Sequence, residues 1–242
     1  MTPRVLLETL PAPGEHAELS LEQSHYLLRV LRLRAGDPLQ IFDGQGARFE
    51  AQLAPSPGKL ARVLITGTLT AGAESPLRIT LAQCISAADK MDWTIEKAVE
   101  LGVAAIQPLI SSRSVVKLDE HRARKRTEHW NKLIESACMQ CGRDLLPSLG
   151  QPMGLREWLA SVQGPGIVLD PTASIALPRA EFKDTRLSLL VGPESGLSAA
   201  EIEMARAQGF TGARLGPRVL RTETAGLAAI AVLQSCYGDF NA

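Results

Sequence analysis

The sequence predicts an α/β protein: a C-terminal, mostly parallel sheet covered by helices, preceded by a small β-barrel. Three observations carry this. From residue 77 onward, short apolar runs alternate with helical patterns, the texture of a parallel sheet with both faces covered. Before residue 70 the runs alternate with period two, and a single helical pattern interrupts them. Between the two textures, Thr70-Ala71-Gly72-Ala73-Glu74-Ser75-Pro76 reads as a linker. The expected division is residues 1–70 as the β-rich domain, 71–76 as linker and 77–242 as the α/β domain.

In the first domain, strands are expected at Arg4–Leu7, Leu39–Phe42, Arg48–Leu53 and Arg62–Leu69. Asp43-Gly44 and Gly46 mark a hairpin between the second and third. Ser20-Leu21-Glu22-Gln23 is a capping box, in which Ser20 and Gln23 satisfy each other's orphan amides and open a helix. Gly36 stands where that helix should stop. Leu27, Leu28, Val30 and Leu31 form its apolar stripe, and Arg29, Arg32 and Arg34 gather near its C-terminal end, where the helix dipole favours positive charge. A barrel this small buries little core alone and is expected to lean on a partner domain.

In the second domain, strands are expected at Leu77–Ile85, Val103–Ile110, Gly166–Asp170, Leu187–Val191 and Ala213–Leu215. Helices are expected at Asp92–Leu101, Asp119–Cys141 and Leu155–Val162, then from the capping box Ser198-Ala199-Ala200-Glu201 to Gln208, and over Thr224–Tyr237. That last helix is apolar on almost every face. It must be buried on several sides, inside the domain or against a second subunit.

Composition narrows the function. Apolar residues make up 45% and charged residues 21% of 242, which excludes a disordered or collagen-like chain. Lys and Arg number 26 and Asp and Glu 26, so uniform polyanion binding is disfavoured while local basic patches remain open. Aromatics at 4% argue against base stacking on an aromatic platform. No apolar run reaches the roughly 18 residues of a membrane span, and the N-terminus lacks a signal-peptide core. Four cysteines are too few for a disulfide scaffold. A cytoplasmic protein with no membrane partner is expected. Cys138-Met139-Gln140-Cys141 has no second pair and sits late in a helix, so it reads as packing rather than redox or metal chemistry. The histidines show no ligand spacing, and no metal is expected.

Ligands of open α/β sheets collect at the carboxyl ends of the strands. Three expected strands end there in Gly/Pro-rich loops: Leu169-Asp170-Pro171, Val191-Gly192-Pro193-Glu194-Ser195-Gly196-Leu197-Ser198 and Leu215-Gly216-Pro217-Arg218-Val219-Leu220-Arg221-Thr222-Glu223-Thr224-Ala225. Glycine and proline set tight turns there and let a ligand approach the main chain. Neither a P-loop nor G-x-G-x-x-G is present, which argues against a nucleotide-dependent oxidoreductase. Leu and Val flank the loops rather than Lys, favouring a flat apolar moiety such as adenine over a triphosphate.

The second and third loops together resemble the C-terminal signature of the RsmE family, bacterial 16S ribosomal RNA (uracil-N3)-methyltransferases of the SPOUT class. Lys90-Met91-Asp92-Trp93-Thr94-Ile95-Glu96-Lys97-Ala98-Val99-Glu100-Leu101-Gly102-Val103 is similar to the family's central motif. Ala137-Cys138-Met139-Gln140-Cys141-Gly142-Arg143 and His25-Tyr26-Leu27-Leu28-Arg29-Val30-Leu31-Arg32 match two more, all in the family's order. Ser195 departs from it, standing where the family usually has glycine. The resemblance implies a PUA-like N-terminal barrel, a SPOUT domain tied in a deep trefoil knot, and a homodimer through the C-terminal helix. It further implies S-adenosyl-L-methionine held by Leu169, Val191, Gly192, Pro193, Gly196, Leu215, Gly216, Val219, Leu220, Thr222, Thr224 and Ala225.

Methyl transfer to a uracil nitrogen needs a proton acceptor and a stabiliser of the charge spreading to O2 and O4. Arg221 is the expected stabiliser. Glu194 is the expected base or positioner, with Glu223 behind it; the other reading of Glu194 is a carboxylate favoured by a helix start. RNA contacts are expected from Arg4, Arg29, Arg32 and Arg34, from Arg124 within a basic helix stretch that also reads as a solvated face, and from Lys90, Arg113, Arg143 and Arg218. The expected partner is 16S ribosomal RNA or the small ribosomal subunit. Two other readings stay open: a sister enzyme acting on transfer RNA, and a non-catalytic ribosome-assembly protein.

Overall fold

The computed structural model describes residues 2–70, 72, 74–114, 119–182 and 184–241. Ala71 and Ala73 of the expected linker lie outside the described residues. The chain divides into two units, residues 1–73 with 138–146, and residues 74–137 with 147–242.

The first unit is a five-stranded sheet. Its strands are β1 (Arg4–Leu6), β2 (His16–Glu18), β3 (Pro38–Phe42), β4 (Arg48–Ala54) and β5 (Arg62–Leu69), in the order β1-β3-β4-β5-β2. β1 runs parallel to β3, and the other neighbours are antiparallel. The β3–β4 turn forms as the sequence predicts: Asp43 Oδ1 accepts the amides of Gln45 at 2.7 Å and Ala47 at 2.9 Å. Alternate strand residues, Leu39 and Ile41 on β3 and Val63 and Ile65 on β5, meet in one core with Leu19 and Leu27.

Helix α1 (Leu21–His25) opens on the expected capping box: Ser20 Oγ accepts from the Gln23 amide, and Gln23 Oε1 from the Ser20 amide. The helix does not run on to Gly36. It widens into a π-turn at Tyr26–Val30, closed by the Leu31 amide donating to Tyr26 O at 2.9 Å, and Arg32 then takes φ +58°. The extra residue per turn rotates the stripe. Leu27 is buried, whereas Val30 and Leu31, expected on the same apolar face, are exposed.

The second unit is an eight-stranded sheet in which every described pairing is parallel. Its elements are β6 (Arg78–Cys84), α2 (Ala88–Glu100), β7 (Ala105–Ile110), α3 (Glu120–Cys141), β8 (Ser148–Leu149), β9 (Met153–Gly154), α4 (Leu155–Ser161), β10 (Gly166–Leu169), β11 (Ile175–Ala176), β12 (Arg186–Val191), α5 (Ala199–Ala207), β13 (Phe210–Arg214) and α6 (Thr222–Tyr237). The order is β11-β13-β10-β12-β6-β7-β8, with β9 also beside β7. Strand alternation assigns the two faces. Ala82, Cys84 and Leu190 pack with Trp158 and Leu159 of α4 and Ala205 of α5. Leu81, Gln83 and Val191, one residue out of phase, face Gly226 of α6. The strand and helix set expected from residue 77 onward is present; the two-residue strands β8, β9 and β11 carry too little pattern to be read.

Helix α6 is anchored at its far end by Gln234, whose amide donates to Leu101 O and Gly102 O and accepts from Ser75 Oγ at 2.6 Å. No helix among the described residues is long and apolar enough to cross a membrane.

Arg4 corrects one expectation. Expected at an RNA surface, it is instead buried in the first unit, where its guanidinium pairs with Asp144 and donates to Cys138 O and Arg143 O. It also lies 4.5 Å over the Phe42 ring. Burial pushes it below its ordinary range against the pull of Asp144. Asp144 accepts the Gly72 amide at 2.7 Å as well. A charge so enclosed has no face left for phosphate, and the pair, with the bridge from Leu145 to Gly44, ties residues 138–146 into this unit. Removing one partner of a buried pair strands the other. Arg4→Ala is therefore expected to cost roughly 3–5 kcal/mol, read by urea denaturation; a loss well under about 1 kcal/mol would show the pair to be dispensable.

Candidate active site

Strand register brings the three Gly/Pro-rich loops to one edge. Leu169 of β10 pairs with Ala213 of β13, and Val168 with Leu190 of β12. Leu169, Val191 and Ala213 therefore stand side by side near the ends of their strands, with Leu215 two residues further on, just beyond β13. Beyond β10, buried Asp170 accepts the Thr172 amide and hydroxyl and a 3.3 Å contact from Arg206, which spends it on structure.

The second loop, 191–198, folds back on itself. A Cβ at Gly192 would stand 2.9 Å from the Leu197 amide nitrogen, so only glycine fits. The Gly196 amide donates to Pro193 O at 2.8 Å, with Gly196 at φ +70°. Ser195, the departure from the family pattern, keeps the turn and adds a bond: its hydroxyl donates to Arg113 O at 3.0 Å, while the Arg113 guanidinium donates to Ser195 O at 3.3 Å. Arg113 is thus tied to this loop. Residues 115–118 that follow it lie outside the described residues.

Glu201 makes the second tie. Its Oε2 accepts the Ser198 amide and hydroxyl, both at 2.8 Å, completing the predicted capping box. Its Oε1 accepts the Ser112 amide at 2.7 Å. Burial raises this carboxyl, but the bonds from Ser198 and Ser112 outweigh it and hold it below its usual 4.5. Nearby Cys84, beneath the loops, is pushed up to about 12 by burial, so it stays a neutral thiol.

The third loop enters α6 without a side-chain cap, on Arg221. The backbone carbonyl of Arg221 accepts from the Thr224 and Ala225 amides, and its guanidinium is exposed with no partner among the described residues. Thr222 Oγ1 donates to Gly192 O at 2.5 Å and accepts from Gln83 Nε2 at 2.9 Å, joining the second and third loops. Arg218 and Val219 are exposed, Val219 at 80%.

Lys90, on the first turn of α2, stands between two carboxylates: its Nζ is 3.7 Å from Glu194 and 3.6 Å from Glu223. Glu194 also accepts the Ala87 amide at 3.4 Å, in place of a side-chain cap for α2. Lys90 is therefore a counter-ion within the site. The arrangement offers a partly exposed carboxylate, a sheltered one, a cation holding both, and an unpaired guanidinium.

Arg29, Arg32 and Arg34 are exposed in the first unit, to which Arg143 also belongs. Arg124 is exposed on α3. Neither cysteine of the C-x-x-C is in a disulfide, and no cluster among the described residues could hold a metal ion. Gln83 was missed by the sequence reading. Its signal was a lone amide inside the apolar run Leu77–Ile85.

Residues 73–234 match the family model described as RNA methyltransferase domain, and 20–66 the one described as RNA methyltransferase PUA domain. The chain is 32% identical to the ribosomal RNA small subunit methyltransferase E of Buchnera aphidicola, over 98% of this chain and 95% of that protein. It is also 32% identical to its Bacillus subtilis counterpart, over 88% and 87%. Among solved structures, the Neisseria gonorrhoeae ribosomal RNA small subunit methyltransferase E bound to S-adenosyl methionine matches with TM-score 0.93 and 38% identity, over 99% of this chain and 100% of that one. A Legionella pneumophila methyltransferase in complex with the same cofactor matches with TM-score 0.95 and 37% identity, with the same coverage.

Because the folded protein holds Glu201 ionised below its ordinary pKa, that stability is complete above about pH 4.5 and is lost as pH falls through the lower folded value. Glu201→Gln is expected to cost about 1–3 kcal/mol near neutral pH and to flatten the acid limb of a stability–pH curve. An unchanged acid limb would assign the clamp no energetic weight.

Proposed function

The chain belongs to the ribosomal RNA small subunit methyltransferase E family, and from that premise we propose that it methylates N3 of one uridine in 16S ribosomal RNA, with S-adenosyl-L-methionine as methyl donor. The observation that carries this reading is the joining of the second and third loops through Thr222, with an unpaired Arg221 and the Lys90-held carboxylates beside the join. The loops suit the cofactor: tight glycine turns expose main-chain groups, and Val219 and Leu220 offer apolar surface to an adenine. Leu169, Val191, Gly192, Pro193, Gly196, Leu215, Gly216, Val219, Leu220, Thr222, Thr224 and Ala225 would hold it. When bound, the cofactor supplies a methyl group on a positively charged sulfur.

The chain's own residues do the rest. Holding the reacting atoms close and aligned supplies much of the rate. Glu194, or Glu223 behind it, takes the N3 proton. Arg221 stabilises the charge on O2 and O4, a fixed cation costing no reorganisation at the moment of reaction. Arg29, Arg32 and Arg34 contact RNA phosphates from a PUA-like first unit, joined by Arg113, Arg124, Arg143 and Arg218.

The finer fold follows the same reading: a SPOUT domain tied in a trefoil knot, supported by β12 lying between β6 and β10 although the chain makes it after β10. A homodimer is supported by α6, whose outer residues Ala228, Ala231 and Val232 are only half-buried in one protomer.

Mass-spectrometric mapping of ribosomal RNA from cells lacking the protein is expected to show one lost N3-methyluridine; no lost methyluridine would defeat the substrate assignment. Arg221→Ala is expected to keep cofactor affinity, read by calorimetry, while methylation falls roughly 10²–10³-fold; near-normal turnover would remove Arg221 from the mechanism. The double variant Arg29→Ala, Arg32→Ala is expected to lower the slope of log affinity against log salt by about 1–2. An unchanged slope would place the RNA footprint elsewhere.

A further inference from the structure

Two buried polar atoms near the carboxylate pair are left without partners. Glu223 Oε2 and Ser86 Oγ have no hydrogen bond among the described residues, and Ser86 is 1% exposed. Ser86 directly precedes Ala87, whose amide reaches Glu194, and Lys90 links Glu194 to Glu223. At 3.6 and 3.7 Å, the Lys90 contacts are ion pairs longer than hydrogen bonds, so its charge is balanced while its N–H donors remain available. Folded proteins rarely leave buried polar atoms unpartnered, and two linked by one chain of contacts call for a cause. A third such atom, Gln83 Oε1, has one already. Its amide is aimed by Thr222 Oγ1 and Cys84 O, and the oxygen packs over Gly226, where a Cβ would come within 3.2 Å.

The remaining groups are two donors and one acceptor: the Ser86 hydroxyl, the Lys90 ammonium, and a carboxylate oxygen that can only accept. We propose that Ser86, Lys90 and Glu223 select the target base by its imide edge. The ring N–H donates to Glu223 Oε2, the 4-carbonyl accepts from Lys90 and the 2-carbonyl from Ser86. This rests on the uridine-N3 reading and names the residues that tell uracil from cytosine. Cytosine presents an unprotonated ring nitrogen, whose lone pair would face a carboxylate. In place of the 4-carbonyl it presents an amino group, which would face the Lys90 ammonium, a group that can only donate. A site built to hydrogen-bond its substrate rejects an analogue that leaves its polar groups unpaired. The same contact prepares the base. The N3–H bond breaks, its proton passes to Glu223 Oε2, and the electron pair stays on N3, with the charge on O2 and O4 beside the Ser86 and Lys90 donors.

The test measures binding of protein saturated with S-adenosylhomocysteine to small ribosomal subunits from cells lacking it. Subunits with uridine at the methylated position are compared with matched subunits carrying cytidine there. The native protein is expected to prefer uridine by at least about tenfold. Glu223→Gln, whose amide can donate or accept, is expected to bring the two affinities within about threefold of each other. Ser86→Ala, which removes a donor to the 2-carbonyl that both bases carry, is expected to weaken uridine and cytidine binding alike and leave their ratio unchanged. Calorimetric affinity for S-adenosylhomocysteine close to the native value certifies each variant as folded. Full discrimination in Glu223→Gln overturns the proposal. If that variant fails to fold, an unchanged uridine-to-cytidine ratio in Lys90→Met, which loses the donor facing the 4-position, overturns it instead. Equal binding of both subunits by a native protein that still forms N3-methyluridine overturns the proposal alone; absence of N3-methyluridine formation overturns the parent reading.

Discussion

The hydroxyl of Thr222 joins two loops that would otherwise have little to hold them together. A parallel sheet ends at its carboxyl edge in main-chain groups with no neighbouring strand to pair with. Gly192 is the first residue beyond β12 and Thr222 the first of α6, so one bond fixes a strand end against a helix start. Its direction is set by Gln83: the Gln83 amide donates to Thr222, which leaves the hydroxyl proton for Gly192 O. Arg221 and Glu223 flank Thr222 in sequence, so the placement of both follows from this bond. Glu201 does the same on the other side of the second loop, with one carboxylate satisfying Ser198 and Ser112 together.

Charge is distributed by position rather than by sum. The sequence balances 26 basic against 26 acidic residues. At the site, the charge of Lys90 is balanced by Glu194 and Glu223, whereas Arg218 and Arg221 are exposed without ion pairs among the described residues. Arg4 is neutralised inside the first unit, and Arg29, Arg32 and Arg34 stay at its surface. A neutral chain can thus carry separate cationic surfaces without binding polyanions everywhere.

What could be read from the sequence was local. The capping boxes at Ser20 and Ser198 need only four residues each, and both form as predicted. The parallel strands ending in Gly/Pro loops were legible because buried strands are short apolar runs with marked ends. What failed was decided at a distance. Arg4 looks like any basic residue near a terminus until Asp144, far along the chain, is placed beside it. Val30 and Leu31 fit a regular α-helical stripe, and the π-turn that exposes them has no local signature. Gln83 and Ser86 become meaningful only when α6 and the neighbouring loops are folded against them. The candidate site was legible as a set of loops; the ties between the loops were not.

The two anchorages of α6 bear on how the protein is made. Thr222 reaches the carboxyl edge of the sheet, and Gln234 holds Ser75, Leu101 and Gly102 toward the other end of the helix. All the strands of the sheet precede this helix in sequence and leave the ribosome before it. During synthesis the nascent chain can therefore pair its strands, yet the join at Gly192 must wait until Thr222 has emerged. The loop that carries Arg221 and the helix start that carries Glu223 are therefore fixed against the second loop only after every strand of the sheet has been made.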